Sequence, residues 1–362
     1  MRTAIIGTGG IAQAHAAAAT ALADRVDLVA AVDVDPVRLA AFREKYGVGA
    51  GYGDVAEMLD RERPDVVQIC TPPGSHVELS LACLEAGAWV LCEKPLCGSL
   101  ADMDRIDAAE QRTGRYVSSV AQWRFGSGGQ HLRRLIRSRA MGRLQVGVCN
   151  TLWYRPADYY AVPWRGRWAS ELGGVSLCLG LHIMDLLLYL FDDWTEIRAM
   201  MATLDRDIEN ENVSMAIVRF QGGAMVSVVN SAVSGRQESY LRLDFARATV
   251  ELTTLYGYRN ANWRYSLPPD ASDAERRTLE QHWSKLPEEI ATSQTSQLAA
   301  MLDDLQAGRR PLVSGAEVRR SIEFLLSLYK AACTGEAVER GSIVAGDPFY
   351  EGMAHALAQT AN

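Results

Sequence analysis

Thr3-Ala4-Ile5-Ile6-Gly7-Thr8-Gly9-Gly10-Ile11-Ala12 decides the fold of this 362-residue chain. Thr3 to Ile6 is a short apolar run suited to a buried strand. The alanine-rich segment from Ala12 to Ala23 suits a helix. Between them stands G-x-G-x-x-A in the setting that motif requires: strand, tight turn, helix. Gly7 permits the turn and Gly9 lets the backbone approach a pyrophosphate. Gly10 and Ile11 lead into the helix, and Ala12 is small enough for the helix to lie on the sheet. The free N–H groups of the helix start suit phosphates. The next strand, Leu28 to Val32, ends at Asp33, about twenty residues past the loop, where a carboxylate takes a ribose hydroxyl. A carboxylate repels a 2′-phosphate, so NAD is favoured over NADP, and Arg38 nearby tempers that preference. The bland alternative is a glycine turn that only turns.

Working outward, the pattern repeats. Asp54 to Arg61 is helix-like, and Asp65 to Cys70 is a strand ending in Thr71-Pro72-Pro73-Gly74-Ser75-His76. The two prolines force the chain out at the sheet's carboxyl edge. His76 opens a helix to Ala86, and Gly87 fits the position after its end. The apolar run Ala88-Trp89-Val90-Leu91 then leads into Cys92-Glu93-Lys94-Pro95. Ligands collect outside the carboxyl ends of strands in open α/β sheets, so Lys94 points at a cofactor. Alternating strands and helices at this spacing predict a parallel, doubly wound sheet over residues 1–122.

Bulk properties exclude several alternatives. An apolar content of 48% and a charged content of 22% are those of an ordinary globular protein long enough for two domains. A net charge of −7 and a pI near 5.5 argue against nucleic acid or an anionic membrane as the main partner. Seven cysteines without CxxC spacing suggest a reducing compartment. A strand beginning at Thr3 leaves no room for a signal peptide, and His182 and Asp185 interrupt the apolar stretch Val175 to Phe191. A cytoplasmic enzyme that does not enter a membrane is expected.

The second half, residues 123–362, changes pattern. After a basic helix near His131 to Ser138, strand-like runs follow at Leu144–Leu152, Ile197–Ala202, Asn212–Phe220, Ala224–Val233, Leu241–Ala246 and Thr249–Leu252. Gln221-Gly222-Gly223 is a hairpin signal. Consecutive strands without intervening helices predict an antiparallel sheet, and Ser293 to Thr334 returns to helical periodicity.

The loop from Gly7 to His15, Asp33, T71-P-P-G-S-H76, E93-K-P95 and Gly173-Gly174…Gly180-x-His182-x-x-Asp185 stand in this order along the chain. In them the sequence resembles the glucose–fructose oxidoreductase/inositol dehydrogenase (Gfo/Idh/MocA) family. The resemblance implies a Rossmann domain followed by an α/β domain with a large, open, mostly antiparallel sheet. That sheet forms one wall of the site and often an oligomer interface, so a homodimer or homotetramer is expected. It further implies that His182 is the general acid/base and that Lys94 holds the reacting oxygen. Thr71, Pro72, His76 and Glu93 then border the cofactor. Histidine suits the role because it titrates near working pH. The implied activity is hydride transfer between NAD and a secondary alcohol or ketone of a carbohydrate-like molecule.

One departure stands out. The family commonly has Asp four residues before the histidine, and here that residue is Cys178. On an α-helix Cys178, His182 and Asp185 share one face, with Asp185 able to orient the imidazole. The same trio is also compatible with a metal site or a nucleophilic thiol, but no further ligand is evident and an apolar setting disfavours a thiolate. No metal is expected. Arg124, Tyr154 and Arg165, with Trp153, Trp164 and Trp168, are candidate substrate contacts, or else core and subunit contacts. A redox-neutral glycosidase using tightly held NAD and a non-catalytic NAD-binding sensor remain alternatives.

Overall fold

The computed structural model describes residues 1–191 and 193–360 and divides them into two compact units. The first contains Met1–Val120 and Gln294–Ile322; the second contains Ala121–Ser293 and Glu323 onward. A single cut at residue 122 therefore misses the return of the chain to the first unit.

Six strands make the first unit's sheet: β1 (Arg2–Ile6), β2 (Asp27–Val32), β3 (Ala50–Tyr52), β4 (Val66–Ile69), β5 (Trp89–Cys92) and β6 (Val117–Ser119). All pair in parallel, in the order β3-β2-β1-β4-β5-β6. The order reverses between β1 and β4, which is where ligands bind in such sheets. One core cluster joins Ile5, Ala12, Ala16, Ala31, Leu39 and Phe42. Another joins Ala18, Val66, Leu91 and Val120 to Leu298, Met301 and Leu302 of the late helix Gln294–Gln306. That helix belongs to the first unit because its apolar face completes this core.

The second unit carries an eight-stranded sheet: β7 (Leu144–Tyr154), β8 (Trp194–Ala202), β9 (Val213–Phe220), β10 (Met225–Ser231), β11 (Val233–Phe245), β12 (Ala248–Thr254), β13 (Trp263–Ser266) and β14 (Val338–Glu339). Its order is β13-β12-β11-β7-β10-β9-β8-β14, antiparallel except where β7 pairs with β10. Alternate residues face opposite sides. Ala216, Val218, Val226 and Val228 are buried, whereas Val146, Met200, Met215, Ile217 and Met225 are exposed. Val146 pairs with Met225 and Met200 with Met215, so the exposed side carries an apolar band across β7, β10, β9 and β8.

One stretch, Trp168–Leu190, is long and apolar enough by length and composition to cross a membrane, and its most apolar part is mostly buried inside the protein. Its middle, Ser176–Gly180, is π-helical before the α-helix Leu181–Leu190 begins. The 3.6-residue repeat that places Cys178 and His182 on one face does not hold across that turn.

Candidate active site

The carboxyl ends of the parallel strands gather the cofactor candidates. Gly7 follows β1 at φ +86°, and a methyl group there would meet Thr71 and Cys70, so both its backbone angle and its surroundings require glycine. At Gly9 and Gly10 an added methyl meets nothing, which leaves room for a ligand to approach the main chain. The helix Ala12–Ala21 starts without a side-chain cap and without an acidic residue in its first turn. Its N–H groups and positive dipole end thus face the loop uncompensated by side chains, as a diphosphate requires.

Asp33, at the end of β2, accepts hydrogen bonds from the Thr8 N–H (2.8 Å), the Thr8 hydroxyl (2.7 Å) and the Asp35 N–H (2.9 Å), with Arg38 Nη2 at 3.3 Å. Burial would raise its pKa, but these donors and Arg38 together lower it, so Asp33 is held as a carboxylate. It ties the phosphate loop to the ribose end of the cradle.

His76 is almost wholly buried, with Nδ1 2.7 Å from the Pro95 carbonyl and Nε2 2.8 Å from the Thr71 carbonyl. It staples the loop after β4 to the loop after β5. Burial lowers its pKa and the two carbonyls oppose that. Thr71 also bonds Ser75, and Pro72 precedes the short turn Pro73–Ser75 that the helix from His76 continues.

Behind Lys94 lies a polar network. His15 is fully buried, with Nδ1 2.9 Å from Gln68 Oε1 and Nε2 3.0 Å from Glu93 Oε1. The Thr3 hydroxyl is committed to the Val66 carbonyl, so it accepts from Gln68 Nε2 (3.5 Å), which fixes Gln68 Oε1 toward His15. Both imidazole nitrogens then face acceptors, and one of them is the Glu93 carboxylate, which favours the charged ring. Burial alone would push His15 down, but its contacts with Cys70 and Glu93 hold it well above the usual histidine value. Burial would raise Glu93, but His15 and Lys94 bring it down to about 2. Glu93 Oε2 accepts the Lys94 N–H at 3.1 Å. The network escaped the sequence reading. Its signals were a lone histidine on an alanine helix and a glutamine in the apolar run Val66–Ile69.

In the second unit, His182 is the one residue of the helix Leu181–Leu190 that is not buried. Its ring is nearly parallel to Trp123 at 6.1 Å and tilted against Trp153 at 6.5 Å. Asp185 and Arg124 form a two-pronged ion pair, with Nε–Oδ2 and Nη2–Oδ1 both 2.7 Å. Arg124 is 0% exposed, so the structure departs from the expectation that it contacts substrate. Its planar guanidinium satisfies a buried carboxylate instead.

Cys178 packs with Trp153, Val175 and Leu179, and its thiol donates toward the carbonyls of Glu171 (3.8 Å) and Gly173 (3.6 Å). Arg165 lies over the rings of Tyr159 and Trp164 and pairs with the buried Glu171 at 3.3 Å. Tyr154 is exposed, with the Arg206 guanidinium 5.4 Å above its ring. A further unforeseen residue is Glu211, which accepts from the N–H groups of Gly174 (2.9 Å) and Ser176 (3.0 Å) and from the Tyr329 hydroxyl (3.0 Å). Burial pushes it up to about 7 against those donors. A methyl at Gly174 would overlap it, which explains the second glycine of that pair. Among the described residues no group of three or more His, Cys, Asp or Glu could hold a metal.

Residues 1–120 match the family model described as oxidoreductase family, NAD-binding Rossmann fold, and residues 130–253 match the GFO/IDH/MocA C-terminal domain. The chain belongs to the Gfo/Idh/MocA family. It is 27% identical to D-apiose dehydrogenase of Paraburkholderia graminis, over 95% of this chain and 91% of that one. It is 25% identical to myo-inositol 2-dehydrogenase of Thermotoga maritima, over 89% and 93%. Among solved structures, the WlbA dehydrogenase of Bordetella pertussis, in complex with NADH and UDP-GlcNAcA, superposes with a TM-score of 0.80 at 25% identity, covering 94% of this chain and 98% of that one. The protein is an NAD-dependent oxidoreductase, and the cradle from Gly7 to Asp33 fits its cofactor.

Proposed function

We propose that the chain oxidises a secondary alcohol of a sugar, polyol or related molecule, or reduces the corresponding ketone, with His182 and Lys94 as its catalytic residues. Bound NAD supplies the hydride acceptor. His182 takes the hydroxyl proton, and Lys94 donates a hydrogen bond to the oxygen as negative charge builds on it; reduction reverses both. The observation that carries the reading is the complete cradle at the carboxyl ends of β1, β2, β4 and β5. Relatives that dehydrogenate apiose and myo-inositol support a polyhydroxylated substrate. Cys178 offers such a substrate no carboxylate, so hydroxyl recognition falls to other groups. Tyr154 and Arg165 are the proposed contacts, Asp185 acting through the helix that carries His182.

The exposed apolar band on β7, β10, β9 and β8 supports a homodimer or homotetramer formed through the sheet. Seven free thiols, six of them buried, support a cytoplasmic location.

The test is NADH fluorescence with NAD and a panel of sugars, polyols and sugar acids, on the parent protein and on Lys94→Ala and His182→Ala. Substrate-dependent NADH that disappears in both variants supports the assignment. NAD binding without turnover across the panel points to the redox-neutral or sensing alternatives, and absence of NAD binding overturns the reading. Light scattering on Ile217→Lys tests the sheet interface: a mass unchanged from the parent's counts against it.

A further inference from the structure

Arg155 lies beside the indole that stands against the proposed catalytic histidine, with Arg165 and Arg206 on the neighbouring rings of Tyr159 and Tyr154. Arg165 is paired with Glu171 and Arg206 with Asp205. Arg155 is different, because among the described residues it enters no ion pair. Its guanidinium lies 5.0 Å from the Trp153 ring centre, 5.2 Å from Tyr159 and 5.8 Å from Tyr256. Nη1 donates to the Tyr154 carbonyl at 3.1 Å and meets the Tyr256 hydroxyl at 3.4 Å. Nε and Nη2, the adjacent pair that a carboxylate takes in a fork, donate to no described group.

The arrangement is held in place on every side. The Arg155 N–H donates to the Ala232 carbonyl at 2.8 Å, and its own carbonyl accepts from Arg206 Nε (3.1 Å) and Nη2 (2.9 Å). Trp153 is buried, its N–H donates to Ser239 at 3.0 Å, and Tyr256 packs edge-on against it at 4.8 Å. The same indole meets His182 at 6.5 Å. An aromatic cradle fixes a guanidinium at low entropic cost and keeps its edge donors free. Such a cation, half-buried and in no ion pair among the described residues, is suited to receive an anion.

We infer that Arg155 recognises a carboxylate on the substrate, so that the substrate is a sugar acid, an aldonate or uronate, and not a neutral sugar. This rests on the oxidoreductase reading of His182. The two free donors, side by side and coplanar, match the two oxygens of a carboxylate. A secondary alcohol and a carboxylate on the same short carbon chain then address His182 and Arg155, both neighbours of Trp153.

The experiment compares matched pairs, each neutral sugar or polyol with its own aldonate or uronate, plus the corresponding sugar phosphates, by NADH formation on the parent, Arg155→Met and Arg155→Lys. In the parent, kcat/KM for the acid exceeds that of its neutral partner by roughly 30-fold, the factor expected of a charge-assisted fork. In Arg155→Met that ratio falls to near one, chiefly through KM for the acid, and Arg155→Lys restores part of it. Equal turnover of acid and neutral partner, preference for the phosphate, or a ratio untouched by Arg155→Met overturns the inference. NADH formed from neutral sugars alone, still dependent on His182, overturns it while leaving the oxidoreductase reading intact. If NAD binds but no compound turns over, calorimetric titration of the NADH-loaded protein decides: binding of an acid that Arg155→Met abolishes supports the inference, and no preference for acids overturns it.

Discussion

Replacing His15 with Ala removes the cation that faces Glu93 and leaves a buried carboxylate whose remaining support among the described residues is the charge and N–H of Lys94 and, at 3.5 Å, the Gln294 amide. The gap between the ordinary 4.5 of a glutamate and the value of about 2 at Glu93 corresponds to about 3 kcal/mol, at about 1.4 kcal/mol per tenfold change in acidity. Breaking a buried pair on one side costs about 3–5 kcal/mol by general experience, in the same range. The pH dependence has a definite sign. Glu93, lowered in the folded state, contributes above its unfolded value and loses that contribution as pH falls toward 2. His15, raised, contributes fully below 6.5 and loses its share as pH rises through its folded value. The pair is therefore at full strength between about pH 4.5 and 6.5. Native-state hydrogen exchange of the β1, β4 and β5 amides reads the opening energy of this unit separately from the other. At pH 6, His15→Ala is expected to lose about 3–5 kcal/mol. Glu93→Gln should lose a comparable amount, and the double variant clearly less than the two together. Loss below about 1 kcal/mol in His15→Ala, or strict additivity, refutes the cationic pair.

Three further outcomes are expected. Glu211, raised to about 7 by burial, stays protonated in the fold where the unfolded chain ionises it, so it costs stability as pH climbs from about 4.5 to 7. Denaturant titrations should show Glu211→Gln gaining about 3 kcal/mol on the parent across that window; a flat difference counts against the assignment. Arg124→Met strands Asp185 in the interior and should lower stability by about 3–5 kcal/mol in the same titrations, with a loss under 1 kcal/mol contradicting the buried fork. Asp33→Ala frees Thr8 and removes the ribose acceptor. NAD affinity measured by fluorescence should fall on the order of 10- to 100-fold while NADP loses less, and equal losses for both would remove Asp33 from cofactor choice.

The first unit's binding loop was legible because its requirements are local. A turn at positive φ needs Gly7, a close helix needs Ala12, and a ribose needs the carboxylate that ends β2. Less could be read where the answer depended on distant partners. The helix Gln294–Gln306 has an ordinary amphipathic pattern, and nothing in it says that its apolar face lies against Ala18 and Leu91. The π-helical turn at Ser176–Gly180 has no signature of its own in Ser-Leu-Cys-Leu-Gly, so a 3.6-residue period places Cys178 where that period does not hold. Arg124 sits in an aromatic run that invites a ligand-facing reading, and only tertiary structure shows Asp185 closing on it. His15, Gln68 and Glu93 each look like isolated polar residues in apolar company; their meaning lies in the meeting of three elements.

The late helix has a consequence for synthesis. Val66, Leu91 and Val120 emerge from the ribosome long before Leu298, Met301 and Leu302, with seven of the eight strands of the second sheet, β7 to β13, still to be made in between. The nascent parallel sheet thus carries a bare hydrophobic flank for most of translation, the kind of surface that chaperones hold and that aggregates when released early. A fragment ending near residue 122, although it contains every β strand of that sheet and the full nucleotide loop, would keep this flank permanently uncovered.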